Sequence, residues 1–437
     1  MICVFNLKGV IKMIIQFKFS NFRSFKDEAL LSMEQTSLRE TKEELGENSF
    51  EIDATKYKLL KTAVIYGANA SGKSNIFKAM TFFRNFTITS TYTQDKIPVE
   101  SFRLNTSSMD KPSLFEMMFI INQKIYRYGF SCNSEKIYEE WLYERSILKN
   151  AKEKKIFTRK EQQITRGYFF KEGKEVEDKT RNNTLFLSAL SQWNSPLAQQ
   201  ILEYIKSIAI IDLSSPVFVI GEDMFESNNN VSAEILKYLQ MADFSIESMI
   251  KSEKNVDENN PEDRFAINLL RILAKGSSNN LKKIEIHTTH KVFDLNHNEI
   301  SKTNFELSRS ESMGTIKFVT MIGLVTKHLS QKNGVIFADE LDSSLHPLLL
   351  EYIIKMFNSS KINKSNSQLI FSVHNVEILN NDLFRRDQIW FADKNKFEES
   401  SLYSLADFKT TEVRKTQNFA KNYLFGRYGA VPQIKSF

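Results

Sequence analysis

Short apolar runs that end at a glycine, an acid or a histidine recur towards both ends of this chain. Runs of this form lie at 61–66, 334–340 and 368–373, and a shorter one lies at 387–391. Continuous apolar runs of four to eight residues are typical of strands that are covered on both faces. Segments with helical periodicity lie near them, at 75–80, 314–329 and 347–358. This alternation predicts an α/β fold with a parallel sheet.

Other segments, near the N-terminus and in the middle of the chain, have a different pattern. Residues 13–19, 113–120 and 124–132 alternate or favour strands, and Asn122-Gln123 marks a turn between the last two. Residues 150–180 are charged and predict loops, whereas 184–190, 197–208 and 264–274 have helical patterns. We therefore expect an N-terminal lobe at 13–135 and a C-terminal lobe at 286–437. Between them, a mixed but mostly helical insertion at 136–285 would split the parallel sheet.

Composition sets the compartment and the class of partner. Of the 437 residues 41% are hydrophobic, so a large core can form, and no apolar run has the length of a membrane span. Cys3 and Cys132 are the two cysteines, which excludes a disulfide framework and favours the cytoplasm. The net charge of +6 mildly favours an anionic partner such as DNA. Either Met1 or Met13 can be the natural start.

The most specific motif follows the first apolar run. Residues 67–74 have the pattern G-x-x-x-x-G-K-[ST], between a predicted strand and a predicted helix. This is the context in which backbone N–H groups and a helix N-terminus cradle phosphates. We expect Lys73 to reach the β- and γ-phosphates of ATP and the Ser74 hydroxyl to bind Mg²⁺. The predicted nucleotide-binding residues are Gly67, Ala68, Asn69, Ala70, Ser71, Gly72, Lys73, Ser74 and Asn75.

Acidic residues and a histidine end two later strands. Asp339 ends one apolar run and is expected to hold Mg²⁺, while Glu340 would polarise the attacking water. The carboxyl ends of parallel strands meet at one edge of a sheet, so His374 after the next run would reach the same crevice. There it would sense the γ-phosphate. We therefore assign catalytic roles to Glu340, His374 and Lys73.

A second helix start predicts another anion site. Ser312 and Gly314 lie at the N-terminus of the helical segment at 314–329, and helix N-termini attract anions. A single nucleotide needs only one helix start for its phosphates, and this chain has two. We therefore expect a head-to-head homodimer, or a higher even-numbered oligomer, in which this site covers the nucleotide of the other chain.

Together these motifs resemble the ATP-binding-cassette-like heads of SMC-type, RecF-like and OLD-type ATPases. In that resemblance 67–74 match the Walker A loop, Asp339 and Glu340 match the Walker B acid and the catalytic glutamate, and 312–315 match the signature motif. Asp342 would begin the D-loop, His374 would be the switch histidine, and Arg23 would approach the nucleotide. The signature reads Ser-Met-Gly-Thr rather than Ser-Gly-Gly-Gln, and the Q-loop glutamine is not assigned.

Four further segments resemble the RloA/AbiL-type bacterial ATPases over nearly the whole chain. They lie at 289–291, 311–315, 386–391 and 423–432. The resemblance implies an ATPase switch in anti-phage defence and abortive infection, with an RloB-like TOPRIM nuclease or another toxin as effector. No role follows for His287 or His290.

Two alternatives stay open. An SMC- or RecF-like ATPase would bind DNA in repair, and the basic run at 149–160 is compatible with that. An OLD-type nuclease would need a TOPRIM segment after His374. The roughly sixty remaining residues are too few for such a domain and contain no Asp-x-Asp.

Overall fold

The structure is a computed structural model, and it divides the chain into two compact units. The first unit is Met1–Pro216 with His328–Phe437, and the second is Val217–Lys327. The residues described are 12–38, 43–52, 57–92, 96–148, 151–168, 170–214, 224–225, 231–242, 244–255, 282–330, 334–409 and 417–432. The helix predicted at 264–274 lies outside them.

Eighteen strands and eight α-helices are described. The strands are β1 (Lys12–Ser20), β2 (Ala29–Ser32), β3 (Ser49–Ile52), β4 (Tyr57–Leu60), β5 (Thr62–Tyr66), β6 (Ser113–Ile121), β7 (Lys124–Cys132), β8 (Ile137–Ser146), β9 (Lys154–Lys160), β10 (Gln163–Arg166), β11 (Ala209–Asp212), β12 (Ser248–Asn255), β13 (Lys282–Phe293), β14 (Glu299–Glu306), β15 (Val335–Asp339), β16 (Gln368–Ser372), β17 (Ile389–Lys394) and β18 (Ser400–Ser404). The helices are α1 (Lys73–Thr89), α2 (Phe186–Gln192), α3 (Pro196–Ser207), α4 (Ala233–Met241), α5 (Leu307–Ser310), α6 (Met313–Ser330), α7 (Pro347–Asn358) and α8 (Phe419–Leu424).

A six-stranded sheet forms the centre of the first unit, in the order β11-β15-β16-β5-β17-β18. All its pairings are parallel except that of β17 with β18. Every residue of β5, β15 and β16 is buried, as their continuous apolar sequences predict. Strands from both ends of the chain therefore meet in one parallel sheet, which confirms that part of the sequence-based prediction.

A seven-stranded antiparallel sheet lies in the same unit, in the order β10-β9-β8-β7-β6-β1-β2. Helix α1 packs against both sheets. Its Phe83 ring stacks on Phe130 of β7 at 5.7 Å between centroids, and its Phe77 ring meets Phe337 of β15 at 6.3 Å. Each buried phenylalanine contributes about 1.5–3 kcal/mol. The aromatic face thus fixes the helix whose first residue is Lys73.

The insertion differs from the expected one in both extent and content. The compact second unit begins at Val217, not at 136, and ends at Lys327. The described part of 136–285 contains β8–β12 beside α2–α4, so these residues are not mostly helical. The segment predicted as loops includes β9, in which Ile156 and Phe157 are buried between exposed lysines. These two apolar residues pack onto the core of the first unit, which favours a strand over a loop.

The second unit carries its own three-stranded antiparallel sheet, β12-β13-β14. Helix α4 and the short helix α5 lie in it, and α6 begins there. No helix in the described part of either unit is long and apolar enough to cross a membrane.

Candidate nucleotide-binding site

The glycine loop at 67–72 leaves the carboxyl end of the central strand β5 and enters α1. Two positions in the loop need glycine, because atoms of the neighbouring strands lie too close for a side chain. A Cβ on Gly67 would lie 2.3 Å from the Ala392 carbonyl oxygen, and one on Gly72 would lie 2.5 Å from Ser400 Oγ. Gly72 also has a φ of 112°, which side chains disfavour. The loop is therefore held tightly against β17 and β18.

A cavity of about 850 Å³ opens above this loop. It brings together the loop and two side chains that follow β15 and β16. The lining residues are Ala68, Asn69, Ala70, Ser71, Gly72, Lys73, Ser74, Asn75, Glu340, His374 and Lys394. The structure thus joins the predicted phosphate loop to the predicted Glu340 and His374. Lys394 was not predicted.

Lys73 lies at the floor of the loop. Its Nζ donates hydrogen bonds to the carbonyl oxygens of Gly67 at 2.7 Å and Ala68 at 3.1 Å. Burial lowers the pKa of the Lys73 ammonium, and the carboxylates of Asp339, Glu340 and Asp342 raise it in part. A buried cation at a glycine-rich loop is suited to an anionic ligand.

Ser372 connects the two acids that follow β15. Its hydroxyl donates to Asp339 Oδ1 at 2.5 Å and accepts from the Glu340 backbone N–H at 2.8 Å. Asp339 is only 6% exposed and is not among the described lining residues. Glu340 has a φ of 53°, so the chain turns here and its side chain faces the cavity. The two carboxylates therefore have different environments.

Asp342 holds the loop that carries His374. Its Oδ2 accepts from the backbone N–H groups of His374 at 2.8 Å and Asn375 at 2.6 Å. His374 Nε2 lies 3.8 Å from Glu340 Oε1. Asp342 therefore positions the predicted site residue His374. Among the described residues, Asp342 is not one of those that line the cavity.

The oxygens of Ser74 and Asp339 fit a magnesium ion. Mg²⁺ prefers oxygen ligands and usually takes one or two carboxylates, with waters and phosphate oxygens completing its shell. In the described chain no group of three or more His, Cys, Asp or Glu side chains is placed to hold a metal. A serine hydroxyl and one carboxylate are oxygen donors of the kind that a nucleotide-bound Mg²⁺ takes from a protein.

A serine cluster ties the loop to the β17–β18 hairpin. Ser400 Oγ donates to the Ser71 carbonyl oxygen at 2.7 Å and lies 2.8 Å from Ser24 Oγ. Ser24 Oγ in turn accepts from Asn75 Nδ2 at 2.7 Å. Sequence reasoning missed Ser24 and Ser400, because isolated serines carry no motif.

Arg23 lies apart from this cavity. Its guanidinium pairs with Glu100 at 2.7 Å and lies 5.8 Å from the Phe22 ring centroid. It is not among the described residues that line the 850 Å³ cavity, and it borders a separate groove of about 280 Å³. The approach of Arg23 to nucleotide stays a prediction.

Ser312 caps a helix in the second unit, and its role as an anion site stays a prediction. Its hydroxyl accepts from the Thr315 backbone N–H at 3.1 Å, and Gly314 lies in the first turn of α6. Glu311, the preceding residue, accepts from Thr288 Oγ1 at 2.5 Å and pairs with His290 Nε2 at 2.8 Å. His290, which had no predicted role, thus fixes the approach to this helix start.

The chain also matches a known protein family. A protein-family profile matches residues 63–380, most of the chain, and is described as "AAA domain, putative AbiEii toxin, Type IV TA system". The chain belongs to this AAA family. Membership confirms the predicted P-loop NTPase fold class and an ATPase of the AAA/ABC-like type. The RloA/AbiL subtype stays a prediction.

A comparison with curated proteins finds no match. Among solved structures, the SMC head domain from Thermotoga maritima is 12% identical, with a TM-score of 0.40, and the match covers 90% of this chain and 98% of that one. An Smc head with an extended coiled coil, bound to a ScpA domain derived from Pyrococcus furiosus, is also 12% identical, with a TM-score of 0.34 and coverages of 90% and 96%.

Proposed function

We propose that this AAA family ATPase is an ATP-driven switch that acts as a homodimer. Each chain would bind ATP at 67–75, and the nucleotide would be covered by Ser312 and Gly314 of the partner subunit. Hydrolysis would then loosen the dimer and change the state of a partner effector. We place this cycle in the bacterial cytoplasm, in defence against phage.

The observation that supports this proposal is the single cavity shared by the phosphate loop, Glu340 and His374. The loop N–H groups and Lys73 would bind the phosphates. Ser74 and Asp339 would hold Mg²⁺, which when bound neutralises charge on the β- and γ-oxygens. In such sites catalysis is mostly positioning and electrostatic stabilisation, and these residues supply both.

Glu340 is placed to orient and deprotonate the attacking water. Its carboxylate is 32% exposed at the cavity wall, close enough to His374 for the two side chains to share a γ-phosphate and its water. Asp339 beside it is buried, with its Oδ1 bonded to Ser372, so it is less accessible to that water than Glu340 is. This division supports different roles for the two neighbouring acids.

The partner effector would be a toxin or a nuclease. The family description refers to a toxin and a toxin–antitoxin system, and the sequence resembles RloA/AbiL-type ATPases. Both favour a toxin or an RloB-like TOPRIM nuclease as the protein that the switch controls. A pull-down of the intact complex from its native host would identify it.

Direct DNA binding is the second candidate function, and one observation weakens it. Arg159 of the basic run is 2% exposed, and its guanidinium donates to the backbone oxygens of Glu161, Thr184 and Arg181. Arg159 therefore cannot contact a phosphate backbone. Lys149 of the same run lies outside the described residues.

Two variants test the proposed chemistry. Lys73→Ala should abolish ATP binding, because it removes the buried cation. Glu340→Gln should bind ATP normally but lose turnover by about 10²–10⁴-fold, the range expected for a general base. Calorimetric binding and steady-state phosphate release measure the two effects.

The matched control is Glu351→Gln on α7, where Glu351 pairs with Lys355 one turn along the helix. It should leave binding and turnover unchanged. Normal turnover in Glu340→Gln would refute the assigned mechanism, and an absence of ATP binding by the wild type would refute the function itself.

A further inference from the structure

Lys394 is a cation of the cavity that no sequence motif marks. It is the last residue of β17, which runs parallel to β5 with Ile389 opposite Val64 and Phe391 opposite Tyr66. Beyond this register the Ala392 carbonyl approaches Gly67 so closely that a Cβ there would lie 2.3 Å away. The end of β17 therefore runs directly alongside the phosphate loop.

The β17–β18 hairpin fixes the position of Lys394 independently. Lys394 lies opposite Ser400 in the antiparallel register. Ser400 Oγ donates to the Ser71 carbonyl oxygen at 2.7 Å, which attaches this end of the hairpin to the loop. The Lys394 side chain is 24% exposed and borders the cavity. Backbone pairing thus places Lys394 at the edge of the cavity, beside the loop.

The strand order separates Lys394 from the hydrolytic residues. In the parallel sheet β16, which His374 follows, lies on one side of β5, and β17 lies on the other. Glu340 follows β15, beyond β16, and so belongs to the His374 side. If the γ-phosphate faces Glu340 and His374, the opposite flank faces the phosphates nearer the ribose.

We propose that Lys394 binds the α- and β-phosphates of the nucleotide, the part that ATP and ADP share. The proposal rests on the proposed ATPase function and adds a second phosphate-binding cation. Lys394 Nζ pairs with Glu398 at 3.0 Å, and the Glu398 side chain is 61% exposed. Exposed pairs of this kind are weak, so a phosphate can displace Glu398 from the ammonium.

Calorimetric titration of the full chain with ATP, ADP and adenosine tests this role. Lys394→Met should weaken ATP and ADP about tenfold and by similar factors, the size expected for one charge-assisted contact. It should leave adenosine binding unchanged. Lys394→Arg, which keeps the charge, should restore most of the lost affinity.

Lys396→Met is the matched control. Lys396 lies on the same hairpin turn, exposed, with its ammonium 5.0 Å from the Phe397 ring centroid and outside the described cavity lining. It should bind all three ligands as the wild type does. The role of Lys394 is overturned if Lys394→Met binds ADP within twofold of wild type, if Lys396→Met loses as much, or if only ATP is weakened. Wild-type protein that binds neither nucleotide would instead refute the proposed function, and this role with it.

Discussion

At the scale of single residues, the site depends on side chains that hold other side chains. Ser372 bonds to Asp339 and to the Glu340 backbone, and Asp342 bonds to the backbone of the loop that carries His374. Each contact crosses between the ends of neighbouring strands. Positional errors of about 1 Å can cost a hundredfold in rate, so we expect these supporting residues to matter for turnover.

Removing the Asp342 carboxylate should lower kcat more than it raises KM. In Asp342→Ala the N–H groups of His374 and Asn375 lose their acceptor, so His374 is no longer fixed beside Glu340. We expect kcat to fall by roughly ten- to a hundredfold. Steady-state kinetics measure both constants. Glu377→Ala, an exposed residue on the same loop, is the control, and an unchanged kcat in Asp342→Ala would contradict the positioning role.

The sequence predicted the residues with local signals and missed those placed by distant pairing. The glycine loop, Asp339 and His374 each adjoin a recognisable apolar strand. Lys394 is brought to the loop only because β17 pairs with β5, more than three hundred residues earlier. The pairing of Arg23 with Glu100, 77 residues later, likewise had no signal in the sequence.

At the scale of elements, the phosphate loop is supported from two sides. Helix α1 is fixed between the sheets by its phenylalanines, and the β17–β18 hairpin is bonded to the loop through Ser400. The C-terminal helix α8 adds a further layer, with the Tyr423 ring stacked on Phe391 of β17 at 5.4 Å. The segment at 423–432 that resembles RloA/AbiL-type ATPases thus supports the strand beside the loop.

Loss of the Ser400 hydroxyl should loosen the loop. Ser400→Ala removes the hydrogen bond to Ser71, worth about 1 kcal/mol, which corresponds to roughly a fivefold rise in the Kd for ATP. Fluorescence titration with a labelled ATP analogue measures it. Ser401→Ala, the exposed next residue, should not change the Kd. Equal affinities for both variants would mean that the hairpin does not support the loop.

Elements were predicted well where their pattern was continuous and poorly where it was interrupted by charge. The buried strands β5, β15 and β16 and the turn at Asn122-Gln123 agree with the sequence patterns. Strand β9 was missed, because lysines surround its two buried apolar residues and only packing on the first unit's core explains them. Tertiary contact decided the outcome there.

At the scale of the whole molecule, the two proposed halves of a composite site lie in different compact units. The phosphate loop, Glu340 and His374 belong to the first unit, and the Ser312–Gly314 helix start belongs to the second. Thr288 and His290 hold Glu311 beside that helix start. The second unit therefore presents an exposed helix N-terminus, which we propose covers the nucleotide of the partner chain.

The most direct test of this composite site is the oligomeric state of Glu340→Gln in sedimentation velocity. With ATP and Mg²⁺ it should form a dimer, since nucleotide is bound but not hydrolysed, and with ADP it should sediment as a monomer. The double variant Glu340→Gln/Ser312→Arg should bind ATP and stay monomeric, because an exposed arginine at the helix start blocks closure. If Glu340→Gln binds ATP yet sediments as it does with ADP, the nucleotide does not join two chains and the proposed switch is wrong.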